Sequence, residues 1–270
     1  MAAVIAAALI RPSEAVVSEP DVAVQGVTLR YPTANGPVTA LEDISFTIAP
    51  EKFVGLIGPS GCGKSSLLMI LAGLAQPSAG RILVRGKELR KPDPSRIGVV
   101  FQDASLLPWK TALGNIEFPL KLRGVPAAKR RERARALLEL VDLRGFGDHH
   151  PHELSGGMRQ RVSIARGLCQ DPDILLMDEP FAALDEQTRM TMGNELLQIW
   201  GRYRKTVVFV THSLTEAVYL CDEVLIMSRR PGRIIERLAI DLPRPRTYDM
   251  MATETFGRLR NHIWQIIRKD

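Results

Sequence analysis

Gly58-Pro59-Ser60-Gly61-Cys62-Gly63-Lys64-Ser65 decides the fold. The stretch follows the short apolar run Phe53 to Ile57 and precedes a helical pattern carried by Leu67, Leu68 and Leu71, with Gly73 as its stop. Strand, glycine loop, helix is the arrangement that cradles phosphate. The glycines let backbone N–H groups converge on phosphate oxygens, and the helix presents the positive end of its dipole to them. Lys64 is placed to reach the β- and γ-phosphates, and the Ser65 hydroxyl to ligate Mg²⁺. Ser66, next on the helix, is also expected to contact the nucleotide.

A second acidic feature lies downstream. Asp178 and Glu179 close the buried run Ile174 to Met177, and Pro180 follows. One carboxylate, Asp178, suits the Mg²⁺ shell. The next, Glu179, suits polarising an attacking water, a role that typically supplies about 10²- to 10⁴-fold in rate. Glycine loop and carboxylate pair together imply binding and hydrolysis of a nucleoside triphosphate.

Outward from these motifs, strands and helices alternate. Val22 to Tyr31 and Ala40 to Ile48 read as half-buried strands. A hairpin is expected around Gly80 to Gly86 and a strand over Ile97 to Phe101. Residues 102–153 read as helix and loop, with Pro126 at the first position of a helix running to about Val141. A helix after Ser155 turns Val162, Ala165 and Leu168 inward. Strands recur at Thr206 to Val210, Glu223 to Met227 and Arg233 to Arg237. The pattern is α/β: a largely parallel sheet covered on both faces, an antiparallel β subdomain before it and a helical insert of about residues 103–168. Residues 1–20 read as a flexible leader, 21–243 as the nucleotide-binding domain and 244–270 as a basic tail with one amphipathic helix (Phe256, Leu259, Ile263, Ile266).

Composition narrows the classes. The net charge of +6 is spread along the chain and does not argue for nucleic acid. Cys62, Cys169 and Cys221 lack metal-ligand spacing, as expected for a reduced, cytosolic protein. The apolar opening Met1 to Ile10 has no preceding basic residue and is shorter than the roughly 20 residues a membrane span needs. Any membrane role is therefore expected from the surface. His149, His150 and His152 have no carboxylate or cysteine companions at ligand spacing. Lys129-Arg130-Arg131-Glu132-Arg133 reads as a solvated helix face, with lipid headgroups as the alternative.

Leu154-Ser155-Gly156-Gly157-Met158-Arg159-Gln160 presents a second N-capped, glycine-opened helix start. It is either an ordinary cap or a phosphate site serving another chain's nucleotide. With Gln102, Ala183-Leu184-Asp185 and His212 in this order, the chain resembles the ATP-binding-cassette transport ATPases from Val22 to about Leu242. In that family two copies dimerise head to tail around two ATP molecules. The resemblance implies ATP and Mg²⁺ as cofactors, with Ser155, Gly156 and Gly157 meeting the γ-phosphate on the partner's glycine loop (Gly58, Pro59, Ser60, Gly61, Cys62, Gly63, Lys64, Ser65). It implies Tyr31 stacking on adenine, Gln102 sensing Mg²⁺ and the attacking water, Asp185 at the dimer seam and His212 at the γ-phosphate. Met158 departs from the commoner Gln, at a position that supplies no phosphate contact.

A narrower resemblance rests on Phe101-Gln102-Asp103-Ala104-Ser105-Leu106-Leu107-Pro108-Trp109 and Arg230-Pro231-Gly232-Arg233-Ile234. These are similar to the ATPase subunits of bacterial nitrate, sulfonate and taurine importers. That implies a membrane permease, a soluble or lipid-anchored solute-binding protein and a place on the cytoplasmic face of the cell membrane. An importer or exporter of another solute stays open, because solute choice resides in the other subunits. Trp109 is either a docking residue or core of the insert. A cassette ATPase acting on DNA or ribosomes would carry a coiled-coil insert or two cassettes, and a P-loop kinase would have no use for Ser155.

Overall fold

In the computed structural model, residues 19–34, 36–182 and 184–270 are described, so most of the expected leader lies outside them. Strands β1 (Val22–Tyr31) and β2 (Val38–Ile48) pair antiparallel. Strand β3 (Phe53–Ile57) enters the glycine loop, and helix α1 (Lys64–Leu71) leaves it. Next come β4 (Ala79–Val84), β5 (Lys87–Glu88) and β6 (Ile97–Val100). The helical insert holds α2 (Ala112–Leu122), α3 (Ala127–Leu140) and α4 (Gly156–Leu168). Then follow β7 (Ile174–Asp178), α5 (Glu186–Tyr203), β8 (Thr206–Val210), α6 (Leu214–Leu220), β9 (Glu223–Met227), β10 (Ile234–Ala239) and α7 (Glu254–Lys269).

Two sheets result. The first is antiparallel, in the order β2-β1-β4-β5. The second runs β10-β9-β3-β8-β7-β6 and is parallel except for β10. Strands β3, β7 and β8 are buried at every position because both sheet faces are covered. Alternation along them sorts the side chains. Phe53, Leu175, Met177, Val207 and Phe209 face a core shared with α4, α5, α6 and α7. Val54, Leu56, Leu176, Val208 and Val210 face α1 and the antiparallel sheet. Each such apolar side chain contributes about 1.5–3 kcal/mol by leaving water, so neither face can be stripped of its cover.

The insert differs from the sequence reading in two places. Helix α2 exists despite Gly114 and the internal Pro119, both of which lower helix propensity. Thr111 caps it, and Ala112 and Ile116 are fully buried, so packing overrides propensity. Pro126 is the N-cap of α3 rather than its first residue, with ψ 142° outside the helical range, while its carbonyl accepts from Arg130. The expected hairpin turns at Arg85-Gly86, between β4 and β5.

The tail is held by two arginines. Arg244 pairs with Asp222 at 2.8 Å and lies 4.2 Å over the Trp200 ring. Arg246 is buried and donates to the carbonyls of Val218 (3.1 Å), Tyr219 (2.9 Å) and Cys221 (2.7 Å), at the negative end of the α6 dipole. Burial pulls its pKa down to about 10. Helix α7 then packs Phe256 and Ile263 against α6 and β9. Arg246→Ala leaves these carbonyls without their donor, and the expected loss is about 3 kcal/mol. A lowered urea midpoint at unchanged slope checks this; a midpoint equal to wild type refutes it.

Candidate functional site

The glycine loop closes on itself through Lys64. Its Nζ donates to the carbonyls of Gly58 (2.9 Å) and Pro59 (3.0 Å), and the side chain is buried beneath the loop. Gly61 and Gly63 have φ of 75° and 108°, the left-handed region that glycine adopts freely. A Cβ at Gly58 would fall 2.8 Å from the Met227 carbonyl, so that glycine is required by close packing. No side chain caps α1 and no acidic residue occupies its first turn. Its leading N–H groups, which have no intrahelical acceptor, are thus suited to an anion. Ser60, Gly61 and Ser65 are exposed at the mouth, and the half-exposed Tyr31 reaches Ser66 through its hydroxyl at 3.1 Å.

Parallel pairing delivers the acidic residues to the same end of the sheet. Asp178, the last residue of β7, is buried and accepts from Ser65 Oγ at 3.2 Å. Burial raises its carboxyl above the usual range, while the Ser65 bond pulls it back and neighbouring Glu179 pushes it further up. Glu179 has φ 45°, a left-handed conformation that costs a non-glycine residue about 1–2 kcal/mol. Its N–H bonds the Val210 carbonyl at 2.9 Å, and its Oε2 lies 2.9 Å from Nδ1 of the exposed His212. Backbone strain at a carboxylate aimed this way is typical of functional positions. Among the described residues no three His, Cys, Asp or Glu side chains form a metal cluster; at the loop Ser65 Oγ and the Asp178 carboxylate pair as oxygen donors.

Ser155, Gly156, Gly157 and Asp185 lie on a separate surface. Ser155 caps α4, accepting from the Met158 N–H at 3.3 Å, and Ser155 and Gly156 are exposed. A Cβ at Gly157 would lie 3.2 Å from Thr188 Cγ2, and Thr188 in turn bonds both carboxylate oxygens of Asp185 at 2.9 and 2.7 Å. That hydroxyl holds the Asp185 carboxyl below its ordinary range. The glycine-rich start of α4 and Asp185 therefore share one surface. No hydrogen bond or ion pair among the described residues joins that surface to the glycine loop of the same chain. Gln102 is exposed on the turn after β6, whose Phe101 carbonyl is held by the buried Gln160 of α4 at 3.4 Å.

Several residues acquire roles that reading along the chain did not reveal. Arg230 donates to the Gly61 carbonyl at 3.1 Å. Gly232 sits so close behind the loop that a Cβ would meet the Cys62 carbonyl at 2.1 Å. Arg230-Pro231-Gly232 thus backs the phosphate loop from the far end of the sequence. The Cys62 side chain points inward and is 1% exposed, with its thiol pushed up by burial. Arg166 of α4 grips the carbonyls of Ala104 (2.6 Å) and Ser105 (2.8 Å), and Asn115 ties Leu107, Lys110 and Thr111 into a fixed turn. Trp109 stands on that turn 71% exposed, so it is not core. His150 and His152 stack on each other in the loop before Ser155.

Glycine loop, strand-end carboxylates and parallel sheet define a P-loop ATPase. The chain belongs to the ABC transporter family, whose family model matches residues 41–182. An uncharacterized ABC transporter ATP-binding protein of Methanocaldococcus jannaschii is 51% identical over 92% of this chain and 91% of its own. The taurine import ATP-binding protein of Pseudomonas putida is 49% identical over 80% of this chain and 81% of its own. A dimeric ATP-binding cassette solved in a post-hydrolysis state with ADP and Pi superposes with TM-score 0.74 at 32% identity, covering 82% of this chain and all of that one. ATP is accordingly the bound nucleotide, and its hydrolysis the activity.

Gly232→Ala forces the Cys62 carbonyl to move, and ATP affinity is expected to fall at least about tenfold, equivalent to 1.4 kcal/mol. Titration with a fluorescent ATP analogue measures it; wild-type affinity would show that the loop does not depend on this backing.

Proposed function

We propose that this chain is the ATPase subunit of an importer for a small anionic solute of the nitrate, sulfonate or taurine type. Two copies pair head to tail, with Ser155, Gly156 and Gly157 of each completing the ATP site on the partner's glycine loop, and Asp185 lies in the seam. What supports the reading is the division of motif residues between two separate surfaces of one chain, the dimeric cassette of similar fold and the similarity to a taurine import protein.

Within each site the loop N–H groups and Lys64 bind the phosphates, and Tyr31 stacks on the base. Ser65, Asp178 and Gln102 would hold Mg²⁺. Ser65 Oγ and the buried Asp178 carboxylate fit that ion, being hard oxygen donors 3.2 Å apart beside the loop expected to hold the phosphates. The ion would neutralise charge on the phosphates. Glu179 takes a proton from water as the water oxygen bonds the γ-phosphorus and the bond to the ADP oxygen breaks, yielding ADP and phosphate. His212 contacts the γ-phosphate and orients the Glu179 carboxylate, and Gln102 orients the water. The observation that carries this assignment is the 2.9 Å contact between Glu179 and His212 beside Asp178 and Ser65.

The chain acts from the cytoplasmic face of the membrane. No helix of the described residues is long and apolar enough to cross it. A permease loop docks on the platform of Leu106, Leu107, Pro108 and Trp109, and a solute-binding protein delivers cargo on the other side. Glu179→Gln is expected to abolish phosphate release while ATP affinity stays within about twofold; steady-state hydrolysis near wild type would remove Glu179 from the role. Trp109→Ala is expected to weaken co-purification with the permease and leave soluble ATPase activity unchanged; undiminished assembly would move docking elsewhere.

A further inference from the structure

His212 follows Thr211, and the side chain of Thr211 does not face the nucleotide site. It is buried, and its Oγ1 donates to Glu216 Oε2 at 2.5 Å while accepting from the Ser213 N–H at 2.9 Å. Glu216 also anchors its own turn, its N–H bonding Ser213 Oγ at 3.3 Å. The turn that presents His212 is therefore clamped from both sides. The other carboxylate oxygen of Glu216 lies 3.4 Å from Arg189 Nε, at ion-pair distance but poorly aimed for a hydrogen bond. Arg189 belongs to the first turn of α5 and also donates from Nη2 to the Leu184 carbonyl at 3.0 Å. Leu184 is buried in the main core, and the next residue, Asp185, is the one proposed for the seam.

We infer that Arg189, Glu216 and Thr211 are positioning residues that couple the Leu184-Asp185 turn to the orientation of His212, and through it to Glu179. The inference rests on the proposed roles of Glu179 and His212. The physical warrant is continuity: every step from Leu184 to Glu179 is a direct polar contact or a single peptide, and each link except His212 is buried or half-buried. A carboxylate with little access to water is held only by the partners it has, here one hydroxyl and one guanidinium. Movement of the Leu184-Asp185 turn when a second chain docks would thus pass to the imidazole, whereas the phosphate loop is untouched by this path. The relay accordingly acts on the rate of the chemical step and leaves ATP binding alone. A cavity of about 380 Å³ between α5, α6 and α7 borders Arg189 and Glu216, giving the pair room to shift.

Three variants of the full chain test it. Thr211→Val keeps shape and removes the hydroxyl. Thr211→Ser keeps the hydroxyl. Glu216→Gln keeps an acceptor for Thr211 and removes the charge that holds Arg189. Steady-state ATPase kinetics are measured with binding of a fluorescent ATP analogue and urea midpoints. The expected result is a fall of about tenfold in kcat for Thr211→Val and Glu216→Gln, with KM and analogue affinity within twofold, and near-complete rescue in Thr211→Ser. Wild-type kcat in Thr211→Val, an equal loss in Thr211→Ser, or a rise in KM at preserved kcat would each overturn the relay. If Glu216→Gln does not fold, the Thr211 pair decides alone. Glu179→Gln separates the two levels. Turnover surviving in that variant defeats the hydrolytic assignment, whereas an inactive Glu179→Gln beside an unimpaired Thr211→Val defeats only the relay.

Discussion

Backbone hydrogen bonds at the carboxyl ends of three parallel strands hold the whole site in place. Thr211 N–H bonds the Leu56 carbonyl at 3.2 Å, and Glu179 N–H bonds the Val210 carbonyl at 2.9 Å. Because β3, β8 and β7 lie side by side in this register, the segments that leave them start within hydrogen-bonding reach of one another. The glycine loop leaves β3, Glu179 leaves β7 and His212 leaves β8. Their convergence is a property of the ladder, and the ladder is stable because both of its faces are sealed by apolar side chains. Ligand sites at the carboxyl ends of parallel strands follow from that geometry in open α/β sheets generally.

Helix α4 organises a second group of motif residues. One helix begins at Ser155, holds the Phe101 carbonyl through Gln160 and holds Ala104 and Ser105 through Arg166. The glycine-rich start and the Gln102 turn are therefore bound to the same rigid element, and Asn115 of the neighbouring α2 holds the Leu106 to Trp109 platform beside it. In an ABC ATPase this is a mechanically sensible design. Helix α4, whose Val162, Ile164 and Ala165 are buried in the main core, packs against α2, whose Asn115 pins the Trp109 turn, so a displacement of Ser155 reaches Trp109 through two packed helices.

Much of this was legible along the chain. Strands β1 and β2 fall on the stretches read as half-buried and β-branched, and β3, β7 and β8 match their apolar runs. The glycine loop and Asp178-Glu179 announced themselves because phosphate and water chemistry require those residue types at those places. The failures have physical causes. Helix α2 was hidden by Gly114 and Pro119, whose propensity cost is offset by burial of Ala112 and Ile116, a term that only tertiary contacts supply. Pro126 reads as a helical residue because its fixed φ suits one, but its ψ is set by the turn that precedes α3. Trp109 could equally have been core; its exposure depends on where Asn115 pins the turn beneath it.

By itself the sequence determined the class of chemistry: a glycine loop of phosphate-binding type, an adjacent pair of carboxylates at a strand end and a second glycine-opened helix, in an order that resembles one family. These are local properties, written in residue type and spacing. Only the tertiary structure decided which of them share a site. It brought Glu179 to His212 across 33 positions, set Arg230 and Gly232 behind a loop 169 positions earlier, and kept Ser155 and Asp185 on a different surface from Lys64. Strand order and packing are cooperative consequences of the whole chain burying its apolar faces, and no stretch of sequence carries them alone.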